Sequence, residues 1–580
     1  MIVEISSRSS QVFQLLPRID GSSLTERPAE LRRKSLGFNY SITPLSTTLL
    51  GDPHDKTTFS TTRLGHDQME DEKLQLAIRE IDPLVDFDPV PQHVHSTWAR
   101  TFHSRPEYYL KPRNTAEIQK IVKLARRCRR RIVTVGCGHS PSDLTMTSSW
   151  VVNLDHHSGI LNVDKESKRM TFEAGIRLHE LNIEAKKHGL TMPNLGSIDN
   201  QSVAGAISTG THGSSLKHGL MGESIKRFVI VLSDGNAVKC SAEDNQELFR
   251  AGLMSLGALG IITEIEFQMV SHSNIEWTQT MKPLDEVLSR WTEDLWTEKE
   301  FTRVWWMPYK KRAIIWSAVR TNEPERPAQS SWYGGSIGFH TYQFLLWVSN
   351  WVPAILPAVE KFVFGMQYGF SDNMVTSAVQ EQQEGLLMDC LFSQFVNEWA
   401  IPLEKGPEAI TRLGAWINGE EGHNIPFESK GLYVHSPVEV RVSNTSKKEP
   451  RPYLDNTNLE GPTLYLNATL YRPYLQDPPC KDRYYEAFEW LMRELGGKPH
   501  WAKNFSYTSE EYISTAFGKN LEKFLEVRDK ADPDGVFLGQ WHRRNILPKG
   551  RRMYVCEEAE VARQKAKDGG QDWIGRIYCD

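Results

Sequence analysis

Residues 196–215, GSIDNQSVAGAISTGTHGSS, set the tightest limit on how this chain can fold. So little side-chain volume cannot build a layer of hydrophobic core. Yet Ile198, Val203 and Ile207 recur as apolar anchors, which flexible linkers seldom carry. A backbone stripped of side chains at Gly196, Gly205, Gly210 and Gly213 suits close approach to a large flat ligand and its phosphates. A second such loop, TVGCGHSPSD at 134–143, follows the short β-branched run Ile132–Val135. It opens like a dinucleotide fingerprint, but Pro141 stands where the third glycine belongs, so a nicotinamide-binding Rossmann unit is not supported. His139 lies between Gly138 and Ser140 of this loop. A histidine there is either a hydrogen-bonded structural ring or a nucleophile toward an electrophilic cofactor methyl.

The flanking pattern predicts an α+β domain over 95–272. Ile118, Ile121, Val122, Leu124 and Ala125 share one face of a helix expected over 115–131. Its end is crowded with Arg126, Arg127, Arg129, Arg130 and Arg131, read as a solvated helix terminus. Strands are expected at 151–154, 160–163, 170–174, 227–233, 236–240 and 260–268, with a helix near 177–189. Residues 275–490 are rich in Trp, Tyr and Phe and form a second region. Within it, Ile337 to Val359 carries no Asp, Glu, Lys or Arg. Pro353 and Pro357 interrupt this stretch and His340, Gln343, Ser349 and Asn350 are polar, so a buried or interfacial helical segment is expected rather than a span. Phe344, Leu345, Trp347 and Trp351 could dock it on a membrane surface.

Both ends differ from the middle. Residues 1–68 carry scattered prolines and no sustained periodicity, as a disordered extension does, while Arg8, Arg18, Arg27, Arg32 and Arg33 give them the look of a targeting peptide. Glu4, Asp20, Glu26 and Glu30 run against targeting, and Met1 to Arg18 lacks the layout of a secretory signal. Residues 547–580 read as a charged surface tail. A formal net charge of −5 over 580 residues gives no field for nucleic acid. Seven scattered cysteines without a C-x-x-C pair argue against a disulfide framework and a zinc site, and fit a reducing compartment such as the cytoplasm. No metal site is expected.

The loops GCGHSPSD and GSIDNQSVAGAISTGTHG, with AGIRLHELN at 174–182, GALGIITEIEF at 257–267, HSPVEVRV at 435–442, HWAKNF at 500–505 and DPDGVFLGQWHRR at 532–544, resemble the vanillyl-alcohol-oxidase flavoprotein superfamily. Within it they are most similar to the aldonolactone oxidases, from about residue 80 to 546. The resemblance implies a two-subdomain FAD-binding domain of the PCMH type over 95–272 and an α+β substrate (cap) domain over 275–546. It implies FAD held covalently through His139, surrounded by Gly136, Gly138, Ser140, Ser142, Asp143, Gly196, Ser197, Ser202, Gly205, Ser208, Thr209 and His212, with Ile262 on the adenine side. Glu439 and Arg441 alternate on an expected strand and so point the same way. Read alone, the pair is equally a cross-strand ion pair; the resemblance places it over the flavin, with Lys503 near the ring's pyrimidine edge. His500 and Trp399 are further candidates for the pocket wall. Gly196 stands where the plant dehydrogenase branch carries an alanine that blocks oxygen, so an oxidase is expected.

The implied reaction is FAD-dependent oxidation of an aldono-1,4-lactone, D-arabinono-1,4-lactone first, at the 2-hydroxyl by dioxygen, giving D-erythroascorbate and hydrogen peroxide. An alditol oxidase of the same superfamily and a non-catalytic membrane-associated flavoprotein are the alternatives. The resemblance also carries an expectation of a mitochondrial, peripherally membrane-associated protein.

Overall fold

The computed structural model of the chain describes residues 72–328, 335–388, 390–446 and 449–548, and the backbone of a short strand, Arg576–Tyr578, that pairs in parallel with Phe102–Ser104. The proposed extension 1–68 and nearly all of the tail 547–580 lie outside the described residues.

Two sheets build the N-terminal half. Strands β1 (Pro89–Pro91), β2 (Tyr108–Leu110), β3 (Ile132–Val135) and β4 (Trp150–Asn153) form the first, in the order β1-β2-β4-β3, with β4 parallel to both neighbours. Helix α1 (Thr115–Arg127) links β2 to β3, as a parallel crossover requires. Asn114 caps it by accepting from Glu117 N at 2.9 Å, and Ile118, Val122, Leu124 and Ala125 bury its inner face. The helix ends within the arginine cluster, after Arg127, and Arg129 takes a left-handed conformation, φ 51°. The cluster is therefore not simply a solvated end. Arg130 turns inward to Glu107 at 2.7 Å, and buried Arg131 donates to Leu538 O at 3.0 Å, tying this half to the C-terminal segment.

The second sheet is antiparallel, in the order β8-β7-β9-β6-β5, from β5 (Ile160–Asp164), β6 (Arg169–Glu173), β7 (Ile225–Val231), β8 (Ala237–Ser241) and β9 (Ile261–Gln268). Each lies within two residues of the strand the alternation predicts. The glycine-rich run falls between β6 and β7 and contains only the one-and-a-half-turn helix α2 (Val203–Ser208), capped by Ser202.

The C-terminal half is an eight-stranded antiparallel sheet. Its strands are β10 (Asn274–Pro283), β11 (Phe301–Met307), β12 (Arg312–Thr321), β13 (Val375–Glu381), β14 (Gln394–Pro402), β15 (Val438–Ser443), β16 (Thr463–Tyr471) and β17 (Lys498–Pro499), ordered β13-β10-β12-β11-β15-β16-β14-β17. Its central strands are buried on both faces. Helix Lys481–Glu494 covers one, where Glu489 accepts from Asn397 Nδ2 at 2.9 Å. The other faces the N-terminal half across a cleft.

The apolar stretch from Ile337 folds as a hairpin of α3 (Gly335–Ser349) and α4 (Leu356–Tyr368), broken at Pro353. Among the described residues no helix is long and apolar enough to cross a membrane. The hairpin packs beside the cleft: Tyr342 donates to Ser436 O at 2.8 Å, and buried Glu360 on α4 accepts from Lys310 N at 2.8 Å and from Ser436 Oγ.

Candidate active site

Two cavities meet end to end, sharing His139, Ser140 and Gln201. The inner one, about 960 Å³, runs between the two glycine-rich loops and out along β9. Gly136, Gly138, Ser202, Gly205, Ser208, Thr209 and Ile262 all line it. Glycine is required where the loops meet: a Cβ on Gly136 would sit 2.5 Å from Ser202 Oγ. Gly138 has φ 71° and its carbonyl accepts from Trp98 N at 2.7 Å, which seats the first loop against the segment before β2. A narrow trough with backbone and hydroxyl groups along its middle and apolar walls at Leu256, Ile262 and Phe537 fits an extended dinucleotide such as FAD.

Two loop residues go elsewhere. Ser142 and Asp143 are buried behind the loop and line neither cavity. Both oxygens of Asp143 accept from Arg544, at 2.7 and 2.8 Å. A carboxylate buried beneath a phosphate-type loop needs a cation, and the C-terminal segment supplies it.

The outer cavity, about 1110 Å³, lies between His139 and the large sheet. Gly196, Ser197, His212, Glu439, Arg441, His500 and Lys503 all line it, so the sequence-separated motifs converge on one space. Trp399 does not; it points to the opposite face of β14, donating to Asn397 Oδ1 at 2.9 Å. Strand register makes the floor: Glu439 pairs across from Asn467 on β16, which pairs with Glu398 on β14. Glu439 Oε2 accepts from Asn467 Nδ2 at 3.1 Å, and Asn467 Oδ1 accepts from Thr469 Oγ1 at 3.0 Å. Glu439 Oε1 and Arg441 Nε, 3.5 Å apart, are buried and without a hydrogen-bond partner in the protein. Buried polar atoms without hydrogen bonds are uncommon, and this pair belongs to two residues of the cavity lining.

Arg441 reaches Glu398 Oε1 at 2.7 Å, with longer contacts to Ser197 Oγ (3.3 Å) and His212 O (3.4 Å). Burial alone would push Glu398 up, but Arg441, His212 and Lys503 together hold its carboxyl well below the usual range. Arg303 stands 3.8 Å from Glu439. Three cations, Arg303, Arg441 and Lys503, thus surround two carboxylates, and the excess positive charge favours an anion forming in the cavity. His139 stacks on Trp98 with ring centroids 5.1 Å apart. Burial, then Arg177 and Lys503, bring its pKa down to about 4, so the imidazole is neutral near pH 7. Burial likewise holds His500 well below its ordinary value. Its Nδ1 accepts from Ala502 N at 3.2 Å, which leaves the ring proton on Nε2.

Residues 265–545 match the family model described as D-arabinono-1,4-lactone oxidase, and residues 106–241 match an FAD binding domain. A relative from Neurospora crassa is 49% identical over 506 residues, covering 82% of this chain and 91% of its own. The D-arabinono-1,4-lactone oxidases of Yarrowia lipolytica and Candida albicans are 42% and 38% identical, each over 78% of this chain and 98% and 96% of theirs. The chain belongs to the D-arabinono-1,4-lactone oxidase family.

The family's fold extends beyond sequence likeness. Cholesterol oxidase from Brevibacterium sterolicum superposes with a TM-score of 0.65 at 13% identity, over 80% of this chain and 98% of that one. In this D-arabinono-1,4-lactone oxidase family member, motif reading missed Trp98, Glu398 and Asn467. Trp98 belongs to no motif and reaches His139 only through the loop contact. Glu398 carried a signal: a carboxylate in the middle of the apolar strand QFVNEWAIP is costly unless paired.

Proposed function

We infer that this protein is an FAD-dependent oxidase that converts an aldono-1,4-lactone, D-arabinono-1,4-lactone foremost, to the 2-dehydro lactone and hydrogen peroxide. The observation that carries the reading is the convergence of Glu439, Arg441 and Lys503 with His139 on one cavity at the end of a dinucleotide trough. Bound FAD supplies the two-electron chemistry, taking hydride from C2 of the lactone and passing the electrons to dioxygen. The chain's own groups do the rest. Arg441 lines the cavity, and its Nε, 3.5 Å from Glu439 Oε1, makes no hydrogen bond within the protein, so the guanidinium has capacity to hold a substrate oxygen. Glu439 Oε1, which accepts no hydrogen bond within the protein, accepts the C2 hydroxyl proton, while Asn467 fixes its other oxygen. The surplus cations steady the negative charge that develops. Neutral substrate needs no electrostatic funnel, in keeping with the weak net charge.

His139 would hold FAD covalently. Support comes from the position of His139 where the two cavities meet and from its neutral, nucleophilic imidazole. The protein is peripheral to a mitochondrial membrane, docking through the α3–α4 hairpin, where Ile337, Phe344 and Trp351 are half or more exposed. Vesicle flotation of the wild type against Phe344→Ser/Trp351→Ser tests the docking, and cell fractionation tests the address. Peroxide release from D-arabinono-1,4-lactone by the purified protein tests the reaction; no lactone-dependent peroxide refutes it. Acid denaturation followed by gel imaging of flavin fluorescence tests the linkage, which fails if the wild type releases free FAD.

A further inference from the structure

Glu398 touches three of the four motif segments that line the outer cavity, all but the His139 loop. Its Oε1 accepts from Arg441 Nη2 of the Glu-x-Arg strand at 2.7 Å and lies 2.8 Å from His212 Nε2 of the glycine-rich run. Its Oε2 lies 3.8 Å from Lys503 Nζ, and its backbone carbonyl accepts from His500 N at 2.9 Å, both in the HWAK segment. The side chain is wholly buried and is no part of the cavity wall. Burying a carboxylate costs several kcal/mol unless close partners repay it, and a hydrophobe of similar volume often serves stability as well or better. A charge kept in such a place is therefore better explained by what it holds than by what it stabilises.

What it holds is the guanidinium. The bond to Glu398 is shorter than those from Arg441 to Ser197 and His212, and it pairs ion with ion. His212, itself stacked on Tyr465 with centroids 3.5 Å apart, fixes the carboxylate from behind. The imidazole expected beside the flavin thus also serves as a support beneath Arg441. We propose that Glu398 is a positioning residue of lactone oxidation: it clamps Arg441 in the orientation that keeps its guanidinium at the cavity wall beside Glu439, and acts only through Arg441. This rests on the reading that Arg441 holds the lactone.

The test is a double-mutant cycle of Glu398→Gln with Arg441→Ala on the purified holoenzyme. Flavin reduction by D-arabinono-1,4-lactone is followed anaerobically, and FAD content by absorbance. Glu398→Gln is expected to keep its FAD and to lose at least about 30-fold in reduction efficiency, but less than about 3-fold in the Arg441→Ala background. Glu398→Asp, which keeps the charge on a shorter arm, is expected to recover part of the loss. Activity of Glu398→Gln within about 3-fold of wild type, or an equal loss in both backgrounds, overturns the proposal. If Glu398→Gln sheds FAD, Glu398→Ala takes its place in the cycle under the same thresholds, and loss of FAD from both variants overturns the proposal. A wild type that no aldonolactone reduces would instead sink the functional reading, an outcome distinct from a failed cycle.

Discussion

Adding a single methyl group at Gly196 separates the two half-reactions. Gly196 lies outside the left-handed region, so alanine fits its backbone, but the new Cβ would stand 2.7 Å from Thr211 Cγ2. Ordinary carbon contacts are about 3.5–4.0 Å, so roughly 1 Å must be given up. Thr211 is the partner that yields, since its hydroxyl is held only by a 3.5 Å contact from Gln201. The overpacking costs about 1–3 kcal/mol, which leaves a large folded protein standing. Both methyls then crowd the cavity wall where Gly196, Thr211 and Gln201 meet the flavin end of the trough. Stopped-flow reoxidation of the reduced protein by dioxygen is expected to slow at least about tenfold, equivalent to about 1.4 kcal/mol of barrier. Anaerobic reduction by lactone is expected to change less than about threefold, because the three atoms nearest the new Cβ belong to Thr211, His212 and Gln201 and not to Arg441 or Glu439. Unchanged reoxidation, with FAD retained, would refute the idea that open space at Gly196 admits oxygen.

Replacing Arg441 by Lys keeps the charge but not the fork, and lactone kcat/KM is expected to fall by about 10²–10³ in steady-state peroxide assays. Trp98→Ala removes the ring stacked on His139 and is expected to lower the fraction of FAD that stays with the acid-denatured polypeptide, read by in-gel fluorescence. Burial raises the buried Glu360 carboxyl to about 7, above its ordinary 4.5. The folded state then binds more protons than the unfolded one, so this group erodes stability as pH rises from about 4.5 to 7, by about 3 kcal/mol at most. Glu360→Gln is therefore expected to match the wild type near pH 4.5 and to exceed it at pH 8 in denaturant titrations; a constant difference across that range would contradict the assignment.

Much of the fold was legible because it is local. Short β-branched runs located seven strands of the two N-terminal sheets to within two residues but not Pro89–Pro91 or Tyr108–Leu110, and alternation put Glu439 and Arg441 on one face. Two members of the arginine cluster at the end of α1 depart from the solvated reading, while Arg126, Arg127 and Arg129 are exposed as expected, because sequence shows charge without partners. Arg130 and Arg131 are drawn inward by Glu107 and by the carbonyl of Leu538, the latter more than four hundred residues away. Asp143 failed for the same reason, since Arg544 lies beyond any local pattern.

The chain's local chemistry by itself determined two side-chain-poor loops, a histidine set in one of them and a carboxylate–guanidinium pair sharing a strand face. Those follow from glycine's freedom and the two-residue period of a strand. Tertiary structure alone decided that β14 lies one strand beyond β16, which carries Glu398 beneath Arg441, and that Trp98 lies flat on His139. Ion pairs and ring stacks act over a few ångströms between residues far apart in sequence, so they exist only once the chain has closed.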